Sequence, residues 1–287
     1  MAAISASVSP VGVWQKLRFF RWLAATGLVL LLVAMLFEES LIFFPSPYPE
    51  GNWQPRHLQF EDAWFAAADG TQLHGWYAPV EQPRALLLFA HGNAGNLAHR
   101  VDLLRYFQQD LRVAVLAFDY RGYGRSAGRP NESGVLADAR AARQWLADRE
   151  QIAPETIVLM GESIGGAVMV DLAAVDGARG LILENTFASL PDVAAHHFRW
   201  LPVRMLLRTK LDSAAKIGRY RGPLLQCHGD ADMIVPFEQG LRLHDAAQSP
   251  KRLVVVAGGD HNDPRRPEWL AALDEFFDEL PPPSAAR

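Results

Sequence analysis

The stretch TIVLMGESIGGAVMVDLAA, residues 156–174, decides how the rest of the chain is read. An unbroken apolar run, a short G-x-S-x-G string and a second apolar stretch spell a buried strand, a sharp turn and a helix, with Ser163 at the bend. Gly161 and Gly165 have a mechanical reason to flank it, because a side chain at either position would crowd the turn and hold strand and helix apart. Such a bend lifts a serine hydroxyl above the sheet. That hydroxyl is a poor nucleophile near neutral pH until a base takes its proton. The pattern therefore asks for an imidazole and a carboxylate elsewhere in the chain.

Two later strings supply them. HGDADMIVP at 228–236 follows the apolar run PLLQC, and GGDHN at 258–262 follows RLVVV. Loops at the carboxyl ends of parallel strands are where such a sheet gathers a site. The order nucleophile, acid, base suits Ser163, then a carboxylate, then His261. His261 is the candidate base because it comes last of the nine histidines, beyond the acid and in a loop just past the RLVVV run. His228 is its rival, but it precedes the acid and is read as shaping that loop. His91 ends a strand and reads as structural; His57, His74, His99 and His244 lie outside any motif, and His196 and His197 fall in an irregular insert. Asp230 and Asp232 each have the chemistry to hold an imidazole in one tautomer and to stabilise its protonated form. The D-x-x-V-P pattern points to Asp232, and Asp230 suits a turn that binds backbone N–H groups. Asp260 is too constrained by its neighbour His261 to orient that ring.

Acyl transfer also needs preorganised donors for the charge that develops on the substrate oxygen. HGNAGN at 91–96, after the apolar run ALLLFA, offers the backbone N–H of Asn93, and Ile164 offers another beside the serine. A phosphate cradle is the competing reading of those glycines, but the Lys and Ser/Thr of a P-loop are missing.

The runs ALLLFA (85–90), VAVLAF (113–118), TIVLM (156–160), GLILE (180–184), PLLQC (223–227) and RLVVV (252–256) are continuous rather than alternating, as in strands buried on both faces. Residues 61–68 and 71–77 flank Asp69-Gly70 and read as an antiparallel hairpin. Two hairpin strands and six buried ones make eight. Val135, Leu136, Ala139, Ala142, Trp145 and Leu146 share one helical face, and Trp269, Leu270, Leu273, Phe276, Phe277 and Leu280 share another; both stripes read as core. The expected architecture is α/β, an eight-stranded mostly parallel sheet with helices on both faces.

Composition bounds the function class. At 49% apolar, 21% charged and a formal charge of −4, the 287 residues lack the basic excess of a nucleic-acid binder. Cys227, the only cysteine, sits in an apolar run and reads as structural, so no intramolecular disulfide is possible. Residues 22–37 are uncharged, with Lys16, Arg18 and Arg21 before them and Glu38 and Glu39 after. Counted from Phe19 with Arg21 snorkelling, a helix here spans about 28 Å, close to a hydrocarbon core of about 30 Å. A cleaved signal peptide is the rival, but the run is long for one and no A-x-A-like site follows. The basic flank is expected to stay in the cytoplasm, which sends the body to the opposite side, the periplasm of a bacterial cell. The expected organisation is a cytoplasmic segment 1–18, an anchor 19–39, a linker 40–51, a catalytic body 52–280 with a cap insert at about 186–222, and a disordered tail 281–287.

HGNAGN, DYRGYGRS (119–126), GESIGGA and HGDADMIVP together resemble the α/β-hydrolase superfamily, over residues 41–280. The chain looks most like its single-pass, membrane-anchored abhydrolase-domain serine hydrolases, relatives of protein depalmitoylases with a serine-aminopeptidase-like domain. That resemblance implies the α/β-hydrolase fold, Ser163, Asp232 and His261 as catalytic triad, and Asn93 with Ile164 as oxyanion donors. It also implies that DYRGYGRS borders the pocket, although a tight turn there serves structure equally. In place of the cysteine-rich N-terminal segment palmitoylated in some of those relatives this chain has the hydrophobic run, so a shared substrate does not follow from the resemblance.

The cap insert interleaves Phe198, Trp200, Met205 and Leu206 with Arg199, Arg204 and Arg208, a mixture suited to a pocket lid, a lipid surface or a plain packed helix. With the anchor close by, the expected substrate is an acyl ester or thioester, small or lipid-like, or an acylated protein. Two alternatives stay open: a peptidase using the same triad on an amide, and a non-catalytic scaffold of the same fold. No metal-ligand spacing or dinucleotide fingerprint appears, so no cofactor and no metal are expected.

Overall fold

The computed structural model describes residues 10–282, without the side chains at 10–13, 16, 24, 28, 30–32 and 34. Parts of the expected segments 1–18 and 281–287 therefore lie outside the described residues. The chain divides into two compact units, one ending at Ile42 and one beginning at Phe43.

The first unit holds α1 (Pro10–Leu36) and the short α2 (Glu38–Ile42). Among the described residues no helix is long and apolar enough to cross a membrane. The transmembrane helix expected over 19–39 is thus not found as a feature of the fold. Six apolar residues on which that expectation rests, at 24, 28, 30–32 and 34, have side chains outside the description. What is described is a helix whose Phe19, Phe20, Trp22, Leu23, Val29 and Val33 are all exposed.

The second unit is built on one eight-stranded sheet of order β1-β2-β4-β3-β5-β6-β7-β8. The strands β1 (Glu61–Ala66) and β2 (Gln72–Ala78) form the expected hairpin, antiparallel to each other. Its turn closes with Asp69 Oδ1 accepting Thr71 N–H (3.0 Å) and Gly70 in the left-handed region. β2 pairs antiparallel with β4 (Ala114–Asp119); every other pairing, through β3 (Leu86–Ala90), β5 (Val158–Glu162), β6 (Gly180–Glu184), β7 (Leu224–Gly229) and β8 (Lys251–Val256), is parallel. Parallel neighbours need crossovers, and helices supply them: α3 (Val101–Arg105), α4 (Glu132–Glu150), α5 (Ile164–Asp176), then α6 (Leu190–His197), α7 (Val203–Leu206) and α8 (Ala214–Ile217) of the cap region, and α9 (Phe237–Ala246); α10 (Pro267–Glu279) follows the last strand. Leu87, Phe89, Val115, Val158, Met160 and Ile182 of the sheet share a core with Trp269, Leu273 and Phe276 of α10. Because side chains alternate along a strand, Leu88, Leu116 and Leu159 face the other side, where α4, α5, α8 and α9 pack in succession.

One strand departs from expectation. RLVVV was expected to be buried on both faces, but β8 is the last strand of the sheet and Val255 is 44% exposed. Its run is apolar because α10 covers one face, and its Lys251 and Arg252 suit an edge that must not pair with another chain.

The segment 43–53, read largely as linker, lies on the second unit like a strap. Phe43 is buried, Ser46 N–H donates to Gly95 O (3.2 Å), Tyr48 N–H donates to Gly124 O (2.8 Å) and Gly124 N–H returns to Ser46 O (3.1 Å). Asn96 Nδ2 donates to the carbonyls of Ser46 (3.1 Å) and Glu50 (2.8 Å). The Arg125 guanidinium rests over the rings of Tyr48 and Trp53, 4.6 and 4.9 Å from their centroids.

The bend at Ser163 has φ 51° and ψ −118°, a conformation few side-chain-bearing residues adopt and one that costs about 1–3 kcal/mol. Three bonds hold it: Ser163 N–H to Glu184 O (2.8 Å), Thr186 Oγ1 to Ser163 O (2.6 Å) and Gly166 N–H to Ser163 O (3.0 Å). A Cβ on Gly161 would stand 2.2 Å from Gly165 O, and one on Gly165 would stand 2.2 Å from Ala90 O and 2.6 Å from His91 O. These are backbone atoms of α5, of β3 and of the loop that follows β3, which cannot swing aside. Gly165→Ala is therefore expected to destabilise the protein by about 2–3 kcal/mol, read as a lower denaturant midpoint; an unchanged midpoint would mean that strand and helix part at little cost.

Candidate active site

Every sequence-predicted site residue lies at the carboxyl edge of the parallel strands: Asn93 after β3, Ser163 after β5, Asp232 after β7 and His261 after β8. The sheet brings three of the side chains into one chain of hydrogen bonds. His261 Nε2 lies 3.1 Å from Ser163 Oγ, and His261 Nδ1 lies 2.6 Å from Asp232 Oδ2. Since the carboxylate only accepts, Nδ1 carries the proton and Nε2 is left to accept from the serine hydroxyl.

Asp232 is fixed before the histidine meets it. Its Oδ1 accepts the N–H groups of Ile234 (2.9 Å) and Val235 (2.7 Å), and its side chain is fully buried. Burial alone would raise its pKa, but the hydrogen-bonding rings of His228 and His261 outweigh burial and hold the carboxyl well below its usual range. The site thus keeps a carboxylate behind His261 at any ordinary pH. His228 does not face the serine: its Nε2 donates to Val235 O (2.9 Å) and also faces Asp232 Oδ2 at 3.4 Å. Asp230 Oδ1 accepts Gly258 N–H (2.6 Å), and Asp260 Oδ1 accepts the N–H groups of Met233 and His261, both at 2.8 Å. These two carboxylates shape the acid and base loops and do not touch the imidazole ring.

Gly92 places the loop after β3 against the serine: a Cβ there would lie 3.6 Å from Ser163 Cβ. Asn93 follows it, and Ile164 opens α5, where the first N–H groups of a helix have no partner within it and face anions favourably. His91 is buried, and its Nδ1 donates to Gly92 O (2.7 Å), so this loop is stiff.

Several residues that sequence reading passed over organise the site. Asn185, at φ 47°, donates through Nδ2 to His261 O (2.9 Å) and accepts Gly229 N–H through Oδ1 (3.2 Å), bridging the acid and base loops. Beneath them Arg265 is paired with both Glu162 and Glu184, the latter at 3.0 Å, and Arg100 Nε stands 3.2 Å from the other oxygen of Glu162. Burial disfavours the Glu162 carboxylate, yet Arg265 and Arg100 bring its pKa below the usual value; at Glu184 burial wins over Arg265 and raises it. The sequence did carry one signal of this network: an acidic residue ending each of two otherwise apolar strands requires a cation.

The cap meets the site through His197, whose Nε2 donates to Ile234 O (2.9 Å), two residues past Asp232. Phe198, Trp200 and Met205 of the cap and Met233 and Ile234 of the acid loop are all exposed. Among the described residues no group of three His, Cys, Asp or Glu is placed to hold a metal ion.

A family model described as alpha/beta hydrolase fold matches residues 85–211. The protein Rv2307c of Mycobacterium tuberculosis is 39% identical over 254 residues, covering 88% of this chain and 89% of its own. The alpha/beta hydrolase domain-containing protein WAV2 of Arabidopsis thaliana is 33% identical over 279 residues, again 88% of this chain and 89% of its own. Among solved structures, the esterase PF2001 of Pyrococcus furiosus superposes with a TM-score of 0.68 at 18% identity, over 83% of this chain and 98% of that one. At that identity the likeness establishes the fold alone.

Proposed function

The chain belongs to the α/β-hydrolase family, and from that premise we propose that it is a serine hydrolase cleaving acyl esters or thioesters through Ser163, His261 and Asp232. The observation that carries this reading is the continuous path from Ser163 Oγ to His261 Nε2 at 3.1 Å and from His261 Nδ1 to Asp232 at 2.6 Å. In the proposed mechanism Nε2 takes the serine proton as Oγ attacks the substrate carbonyl, and the backbone N–H groups of Asn93 and Ile164 receive the resulting oxyanion. His261 then gives its proton to the departing alcohol or thiol, leaving an acyl-enzyme. Water, deprotonated by the same nitrogen, releases the acid and restores the serine.

A chain-bearing acyl group is favoured by the exposed Phe198, Trp200, Met205 and Met233 on the cap and acid loop. The proposal includes an N-terminal membrane anchor over 19–39, supported by the uncharged run 22–37, its charged flanks and the exposed apolar side chains of α1. Its basic flank lies in the cytoplasm and the catalytic body on the opposite side.

The reading is tested with the full chain in detergent, by fluorophosphonate labelling and by turnover of matched esters, thioesters and aminoacyl amides. Labelling on Ser163, with esters or thioesters cleaved at least about tenfold faster than amides, is the expected result, because the amide leaving group is the poorer one. Faster turnover of the amides would replace this reading with that of a peptidase.

A further inference from the structure

The side chain of Asn93, rather than its backbone alone, has a place in the site. Its Oδ1 accepts two donors from separate parts of the chain, Phe44 N–H of the strap (3.1 Å) and the Tyr123 hydroxyl (2.9 Å). Tyr123 is fully buried, and burial pushes its hydroxyl pKa up, so it remains a donor. The strap is in turn bonded to the loops on both sides, at Gly95 and at Gly124. Two independent donors thus fix the amide of the residue that follows Gly92, the glycine packed against Ser163.

From this juxtaposition we infer that Tyr123 is a positioning residue: with Phe44 N–H it pins the Asn93 side chain and thereby keeps the Asn93 backbone N–H aimed at the substrate oxygen. The inference rests on the proposed role of Asn93 as an oxyanion donor. A donor in an oxyanion hole acts because it needs no reorganisation when charge develops, so freedom at Asn93 lowers the rate without loosening substrate binding. The strap that leads from the first unit into the catalytic body is then part of the catalytic geometry.

The test uses Tyr123→Phe in the full chain with a short-chain p-nitrophenyl ester. A fall in kcat of about 5–20-fold with KM within about twofold of wild type is expected. Affinity for an alkyl boronic acid, which adds to the serine and puts negative oxygen where the oxyanion forms, should fall by the same factor. In an Asn93→Ala background, which keeps the backbone N–H, Tyr123→Phe should have no further effect, because both act through one bond. Unchanged kcat, or an equal effect in both backgrounds, overturns the inference. Should Tyr123→Phe fail to fold, Asn93→Ala alone must show the joint loss of kcat and boronate affinity, and wild-type values there would overturn it. Ser163→Ala separates the two levels: turnover retained in that variant removes the serine reading itself, whereas an inactive Ser163→Ala beside a Tyr123→Phe of wild-type kcat removes this inference alone.

Discussion

Ser163→Ala is expected to lower ester turnover by about ten-thousand- to a million-fold while leaving the fold intact. In the proposed mechanism the hydroxyl is the group of the three that bonds to substrate, and it stands 3.1 Å from His261 Nε2. Substrate binding and the backbone donors of Asn93 and Ile164 survive the change, so a residual rate above that in water is expected. His261→Ala should cost nearly as much, and the double variant little more than either, because base and nucleophile act as one unit. Single-turnover kinetics on the purified variants checks this. A Ser163→Ala protein within about tenfold of wild type would show that another group attacks the substrate, whatever the hydrogen-bond geometry.

The second large effect is on stability. Arg265 joins the carboxylates that end β5 and β6 to the loop four residues beyond His261, and replacing it with leucine leaves two crowded acids without that cation. Breaking a buried pair from one side costs about 3–5 kcal/mol. Here the side chains keep 23%, 16% and 12% of their exposure, so a loss of about 2–4 kcal/mol is the reasonable expectation. The sign of its pH dependence follows from Glu162. Arg265 and Arg100 depress that carboxyl in the folded state despite its burial, so its pairing contributes stability that is fully present above the unfolded-state value and is lost as pH falls through the folded one. Wild type and Arg265→Leu should therefore differ most near neutrality and converge in acid, where both carboxyls are protonated in each. Urea unfolding at several pH values reads this directly. A gap that is constant with pH would mean that the arginine stabilises through packing alone. Loss of activity is expected alongside, because the same side chain tethers the His261 loop.

The two effects also mark how far the chain could be read as a string. The strand, bend and helix around Ser163, the hairpin at Asp69-Gly70 and the pairing of PLLQC and RLVVV with acid and base loops were legible because each is written in a few consecutive residues. Burial of β8 was misread for the same reason: an apolar run looks alike in the middle of a sheet and on an edge covered from one side. Residues 43–51 of the strap read as linker because proline and polar residues mark loops without saying whether a loop is held. Asn185 escaped notice, since nothing in its neighbours in sequence announces a bond to the carbonyl of His261, 76 positions away. Arg265 and Glu162, 103 positions apart, were invisible as a pair although each carboxylate alone hinted at a cation.

By itself the sequence determined the class of fold, the order of the strands' chemistry and the identity of the serine, since hydrophobic periodicity and glycine sterics act over a few residues and leave a local trace. The sequence points to His261 and to Asp232, but how closely their side chains meet Ser163 and what holds the loops in place were decided only by the tertiary structure. Those choices are made by hydrogen bonds and ion pairs between loops far apart in the chain. Their energy depends on ångström-scale distance and on burial, and neither exists until the sheet has brought its carboxyl edge together.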